Sequence, residues 1–241
     1  MTKKFKIILG ISYLFILFLF LYFVFSEIEF GRFDEFSYYK ELQAKLDYVV
    51  GNNLMLNLII FFIFGIIWVS LLGFGSPLLI LSGILFGKWL GTAISTISIT
   101  CGALILYSLT NLFFKELVEK ILINKFKKYI EIFNRNEFYY FFIFRLVGGF
   151  GMPFFLQNTL PTIFNMKKSN YFLASLLGFI PSFYILNTIG SGINNFVQQS
   201  DNFDLINFVL NKDIYLPILV FFVFLIISFL LKKKIFYDKK N

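Results

Sequence analysis

Glycine and proline interrupt this chain twice, each time inside a run apolar enough to cross a membrane. Residues 73–77 read Gly-Phe-Gly-Ser-Pro, and residues 149–153 read Gly-Phe-Gly-Met-Pro, an offset of 76. The same offset relates Gly102 to Gly178, each inside the apolar segment that follows its block. Glycine frees the backbone and proline removes a donor, so Gly73, Gly75 and Pro77, and Gly149, Gly151 and Pro153, mark two hairpin tips in long helical runs. Paired interruptions in two halves of a membrane protein point to a transport site. The chain reads as a transporter or lipid-moving protein and not as an enzyme.

Composition sets the solvent. The chain is 58% hydrophobic and only 15% charged, with 37 phenylalanines among its 241 residues. Several apolar stretches reach the roughly 20 residues that a helix needs to cross a bilayer. The net charge of +8 would suit nucleic acid, but the lysines sit at the ends of apolar segments, where they set orientation instead. There is no histidine and one cysteine, Cys101, so an intrachain disulfide is excluded and a His/Cys metal or haem site is not expected. No cofactor is expected. Cys101, inside a span, reads as a small packing residue. The amino-terminal run from Ile7 to Phe25 is too long for a signal-peptide core and reads as an uncleaved anchor.

Six apolar segments emerge: 7–25, 54–86, 92–114, 138–164, 170–190 and 214–231. The second and fourth carry the breaks, so each either contains a full crossing or folds as a re-entrant hairpin. Charge separates the two. Segment 115–137 holds six basic residues against four acids, 26–53 three against six, and 192–213 one lysine against three aspartates. Basic loops belong on the cytoplasmic side. Hairpins place the basic loop and both basic termini inside and both acidic segments outside; full crossings put 115–137 outside. The expected fold is therefore an all-α polytopic membrane protein with an inverted repeat of re-entrant hairpin plus spanning helix. Residues 1–51 form an anchor and outer amphipathic segment. Residues 52–195 form the core, with hairpins 54–90 and 138–167 and spans 92–114 and 170–190. Residues 196–241 form an outer loop, a last anchor and a basic tail. Phe36, Leu42, Leu46 and Val49, and Leu122, Phe126, Tyr129, Ile130 and Phe133, have the spacing of two helices lying on the membrane surface.

Arg145 is the sharpest site candidate. Seven apolar residues, Phe138 to Phe144, separate it from Glu137, so it sits roughly 12 Å into the second hairpin at helical rise. An arginine at depth costs about 2.5 kcal/mol or more and faces a cavity or a partner, and its planar fork suits phosphate. The alternatives are snorkelling to the inner interface or capping carbonyls at the tip. Gln157 and Asn158 can bond a substrate or the opposing tip. Lys88, Lys167 and Lys168 read as interfacial anchors, and Asn187 and Thr188 as path-lining or cross-helix bonding residues.

The stretch Ser76-Pro77 through Gly83, Phe86-Gly87 and Gly91-Thr92 is similar to the first-half signature of the VTT-domain superfamily, which includes the DedA and SNARE-associated Golgi proteins. Phe144-Arg145-Leu146-Val147, Pro153-Phe154 with Asn158, Gly178-Phe-Ile-Pro181 and Gly190-Ser-Gly192 resemble its second half, the whole covering about 52–195. Gly148 stands where the family usually has proline. Residues 54–114 hold no Asp or Glu, and no arginine follows Arg145; these departures fit the lipid-scrambling side of the superfamily better than proton coupling. The resemblance implies lipid transport, with phosphate-bearing lipids such as anionic phospholipid or polyprenyl phosphate as partners and no nucleic acid. An ion-coupled solute carrier and a non-transporting scaffold are the alternatives. The expected location is a bacterial plasma membrane with both termini cytoplasmic.

This topology is testable in intact cells with an impermeant thiol reagent on a cysteine-free background. Lys127→Cys and Lys234→Cys should be protected and Asp201→Cys labelled; labelling at 127 would remove the hairpin assignment.

Overall fold

A computed structural model describes residues 3–26, 32, 35–72, 74–148, 152–200 and 202–237. Gly73, Gly149 and Gly151 lie outside them. The described residues form helices α1 (Lys3–Ser26), α2 (Phe36–Asn52), α3 (Leu54–Leu72), α4 (Ser76–Arg135), α5 (Glu137–Leu146), α6 (Phe154–Thr159), α7 (Lys168–Gln199), α8 (Leu205–Leu210) and α9 (Lys212–Tyr237), with a 3-10 turn at Leu160–Phe164 after α6. Among the described residues, three stretches are long and apolar enough to cross a membrane: Leu54–Leu71, Ser76–Phe113 and Lys168–Gln199. The all-helical membrane architecture thus follows from the sequence as expected.

Both breaks are present. After α3 the helix stops, Trp68 Nε1 donates to the Phe74 carbonyl at 3.0 Å, and α4 restarts with Pro77 in its first turn, where a missing N–H costs nothing. The 38 residues of Ser76–Phe113 would be about 57 Å long if straight, against about 30 Å of bilayer core. The helix is instead kinked at Gly87, with φ 70° and ψ 178°, a conformation that glycine supplies cheaply. Residues 76–86 form a first arm that doubles back along α3, pairing Phe61 with Phe86 at 5.4 Å between ring centroids. From Lys88, α4 runs parallel to α3, and a Cβ on Gly102 would stand 2.8 Å from Val69 Cβ.

The second half has a similar order of helix, break, short helix and long helix. α5 leads to the break, and α6 with its 3-10 turn forms a second arm folded back along α5. Asn165, left-handed at φ 49°, then joins the arm to α7. The arm's far end is fixed by Phe164 stacked on Phe133, centroids 4.2 Å apart. α7 runs parallel to α5, and a Cβ on Gly178 would stand 2.5 Å from Arg145 Cβ and 3.0 Å from the Phe142 carbonyl. In the first half, Gly102 meets Ile66 and Val69; adding 76 to each number gives the second-half contact. The base of this half is tied by Glu137, whose carboxylate accepts the Lys167 N–H at 3.3 Å and Asn170 Nδ2 at 2.6 Å. A negative charge there also suits the amino terminus of α7.

α4 and α7 make the most extensive helix pair of the bundle and run antiparallel: Ser95 meets Asn187, while Tyr107 stacks on Tyr171 with centroids 4.6 Å apart. The first arm packs on α7 through Gly83, whose added Cβ would overlap the Asn187 backbone, and Gly190, whose Cβ would overlap the Ile80 carbonyl. The tips approach one another: a Cβ on Gly75 would lie 3.8 Å from the Phe154 ring. Buried Phe61, Val69, Leu78, Ile99, Phe141 and Phe179 fill the core between these elements.

Three expectations need correction. The backbone freedom of glycine is not used for a positive φ at Gly75, which is the N-cap of α4 at φ −119°; among the described residues Gly87, Gly148 and Asn165 hold the positive φ. Residues 115–135 are not a separate surface helix, because α4 runs on to Arg135; no glycine or proline lies between Gly102 and Asn136 to stop it. α7 likewise continues past 190 to Gln199, so 192–213 is helix at both ends with α8 between.

The packing makes opposite predictions for one substitution at two glycines. Gly83→Ala should lower the thermal stability of purified protein by about 1–3 kcal/mol through overpacking. Gly10→Ala, with nothing within 4 Å of the new Cβ, should be neutral or stabilising by up to about 1 kcal/mol.

Candidate functional site

Arg145 occupies the last turn of α5 and is fully buried, at 0% exposure. Burial excludes snorkelling in this arrangement. Its Nε donates to Ser175 Oγ at 3.2 Å, Nη1 to Gln157 Oε1 at 3.3 Å, and Nη2 to Asn158 Oδ1 at 2.6 Å and Tyr171 Oη at 2.9 Å. All four partners are neutral. Aromatic faces complete the enclosure, with the guanidinium carbon 4.7 Å from the centroid of Phe141 and 4.5 Å from that of Phe179. Cation–π attraction and neutral acceptors offset part of the desolvation cost, but they leave a net positive charge in the core.

Two of the acceptors come from the second arm. Its fold back along α5 brings Gln157 and Asn158 opposite Arg145, so the three candidates do meet. Gln157 also spans the break: its Nε2 donates to the Met152 carbonyl at 2.7 Å and the Gly148 carbonyl at 3.3 Å. Gly148, at φ 65°, is thus the residue from which the chain leaves α5, a conformation that proline could not adopt. The other two acceptors, Ser175 and Tyr171, come from α7, and sequence reasoning did not single them out. Their signal was a polar pair four residues apart, one turn ahead of Gly178, on one face of an apolar helix.

Tyr171 links this cluster to the first half. Its hydroxyl lies 3.2 Å from both the Ala103 carbonyl and Asn158 Oδ1, and its ring stacks on Tyr107, which donates to the Met166 carbonyl at 2.6 Å. A second buried cluster answers the first. Asn187 Nδ2 donates to Ser95 Oγ at 3.2 Å, and Ser82 Oγ donates to Asn187 Oδ1. Ser82 and Ser95 plus 76 are Asn158 and Tyr171, so two members of each cluster lie at the same offset. The position equivalent to Arg145 is Val69, fully buried and apolar. Asn187 therefore bonds across helices, while Thr188 bonds back to its own helix at Tyr184. Lys167 and Lys168 are exposed at the start of α7.

Antiparallel α4 and α7, two folded-back arms and a buried cation at one tip define a helical integral membrane protein. The VTT domain family matches residues 72–192, half of the chain. The chain belongs to the VTT-domain family and is a membrane protein of the DedA type, a family that is generally non-enzymatic. No solved structure matches it.

Removing the Tyr171 hydroxyl should show how tightly the site is held. Tyr171→Phe takes an acceptor from Arg145 and should lower stability by about 1–3 kcal/mol in thermal unfolding. Tyr139→Phe, at a position 52% exposed, should stay within about 0.5 kcal/mol of the parent.

Proposed function

We propose that this protein moves phosphate-bearing lipid headgroups across the bilayer, past two re-entrant hairpin tips arranged as an inverted repeat. One observation carries the reading: Arg145 is buried at depth with neutral partners only, and among the described residues no carboxylate pairs with it. A buried cation without a counter-ion is expensive to keep. A phosphate monoanion or diester supplies the missing charge and fits the planar fork.

Several features support the membrane arrangement. The arms return towards the ends from which α3 and α5 began, the units they belong to run in opposite directions, and their tips approach near Gly75 and Phe154. Non-helical backbone at that depth is tolerated where protein covers it or water reaches it. With the site closed as described, a headgroup enters only by exchanging with a protein acceptor. Gln157, whose bond to Arg145 is the longest of the four at 3.3 Å, is the natural one to yield. Acyl chains stay in the bilayer, so only the polar head needs a route.

Proteoliposome assays with a labelled phospholipid test this, with activity normalised to folded protein in the same vesicles. Arg145→Ala should lose tenfold or more of its lipid movement, on the order of one charged hydrogen bond, and Arg145→Lys should keep part of it. Full activity in well-folded Arg145→Ala would reject the reading.

A further inference from the structure

Four buried polar atoms, on the second arm and on α4, have no protein partner among the described residues. Asn158 Nδ2 and the hydroxyls of Thr162, Thr96 and Thr100 are all in this condition. Asn158 and Thr100 are 0% exposed, Thr162 2% and Thr96 4%. Unpaired polar atoms at this depth are costly and call for a water, an ion or a ligand.

The two threonines of α4 stand out from their neighbours. Thr92, Ser95, Ser98, Ser108 and Thr110 all bond back to carbonyls of their own helix, the usual way for such hydroxyls to be satisfied. Thr96 and Thr100 do not. With Ala103 and Tyr107 they sit at helical spacings of four, three and four residues, on one face of α4. That face meets the Arg145 cluster, since Ala103 and Asn158 are joined through the single hydroxyl of Tyr171. On the facing arm, Thr162 follows Asn158 by one turn, and α4 packs directly on the arm.

The chemistry of this seam is that of a donor-rich site. Asn158 cannot be flipped to offer its oxygen, because Oδ1 already receives Arg145 Nη2 at 2.6 Å and an amide nitrogen there would oppose the guanidinium. Its Nδ2 can only donate, and each threonine hydroxyl can donate as well. The nearby Arg145 charge disfavours a cation and favours an anion.

We propose that Asn158, Thr162, Thr100 and Thr96 form the α4-facing wall of an oxyanion site for which Arg145 supplies the charge. A phosphate group would approach Arg145 along this seam and be held there by hydroxyl and amide donors. This deepens the transport reading and rests on it for the lipid as source; the phosphate chemistry itself could equally come from free phosphate.

Thermal unfolding of the full-length protein in detergent tests the seam, because a ligand that binds only the folded state raises its midpoint saturably. Inorganic phosphate and a short-chain phosphatidate should both do so, and the matching diacylglycerol should not. A response to phosphatidate alone assigns the site to a lipid headgroup, and a response to both makes phosphate itself sufficient. Thr100→Val and Thr162→Val should leave the ligand-free midpoint unchanged or higher, yet weaken apparent phosphate affinity roughly tenfold each, the loss of one bond to a charged group. Thr100→Ser should bind as the parent does, and the alanine variants substitute for any valine variant that fails to fold. No response of the parent protein to either phosphate compound, or undiminished affinity in the valine variants, overturns the seam. Lipid movement in the same variants separates the two ideas. Phosphate binding without lipid movement in the parent would remove transport and leave the seam. Full lipid movement with no phosphate response would do the reverse.

Discussion

The cost of polar groups in an apolar bundle governs this structure. Every break in a membrane helix frees N–H and C=O groups that hydrocarbon cannot satisfy, and this chain breaks two helices and buries an arginine beside one of the breaks. The side chains that repair the damage are the ones that build the site. Gln157 bonds carbonyls on both sides of the second break and accepts from Arg145. Trp68 does the simpler half of that work at the first break. Removing Arg145 would leave the Gln157 oxygen without its donor, while Asn158 Oδ1 would keep only the Tyr171 hydroxyl.

Small residues let the bundle come close enough for such bonds. Gly102 brings α4 against α3 and Gly178 brings α7 against α5, and Gly83 and Gly190 bring the first arm against α7. With no hydrophobic driving force between helices in lipid, close packing and interhelical hydrogen bonds supply the association energy. Asn187, Ser82 and Ser95 show this directly, three fully buried polar side chains on three stretches of helix that satisfy one another.

Much of this was legible in the residues. The two Gly-Phe-Gly-x-Pro blocks located both breaks, the offset of 76 matched the packing of Gly102 with that of Gly178, and the depth of Arg145 in its apolar run made it the charged residue of interest. Other features were not legible, for identifiable reasons. Gly75 and Gly87 look alike in sequence and both lie between helix segments, but of the two only Gly87 takes a positive φ. The continuation of α4 to Arg135 follows from the lack of a breaker, a weaker signal than the amphipathic spacing that suggested a separate element. Tyr171 and Ser175 acquire their role only when the second arm folds back and carries Asn158 across to them.

The substitution of Val69 for arginine in the first half has its own consequence. A buried apolar side chain needs no partner, whereas a buried guanidinium must be met by acceptors. Here one half carries a cation ringed by acceptors and the other a methyl-bearing side chain against Gly102. The two breaks are therefore unequal in cost, the second carrying the desolvation of a single guanidinium that the first is spared.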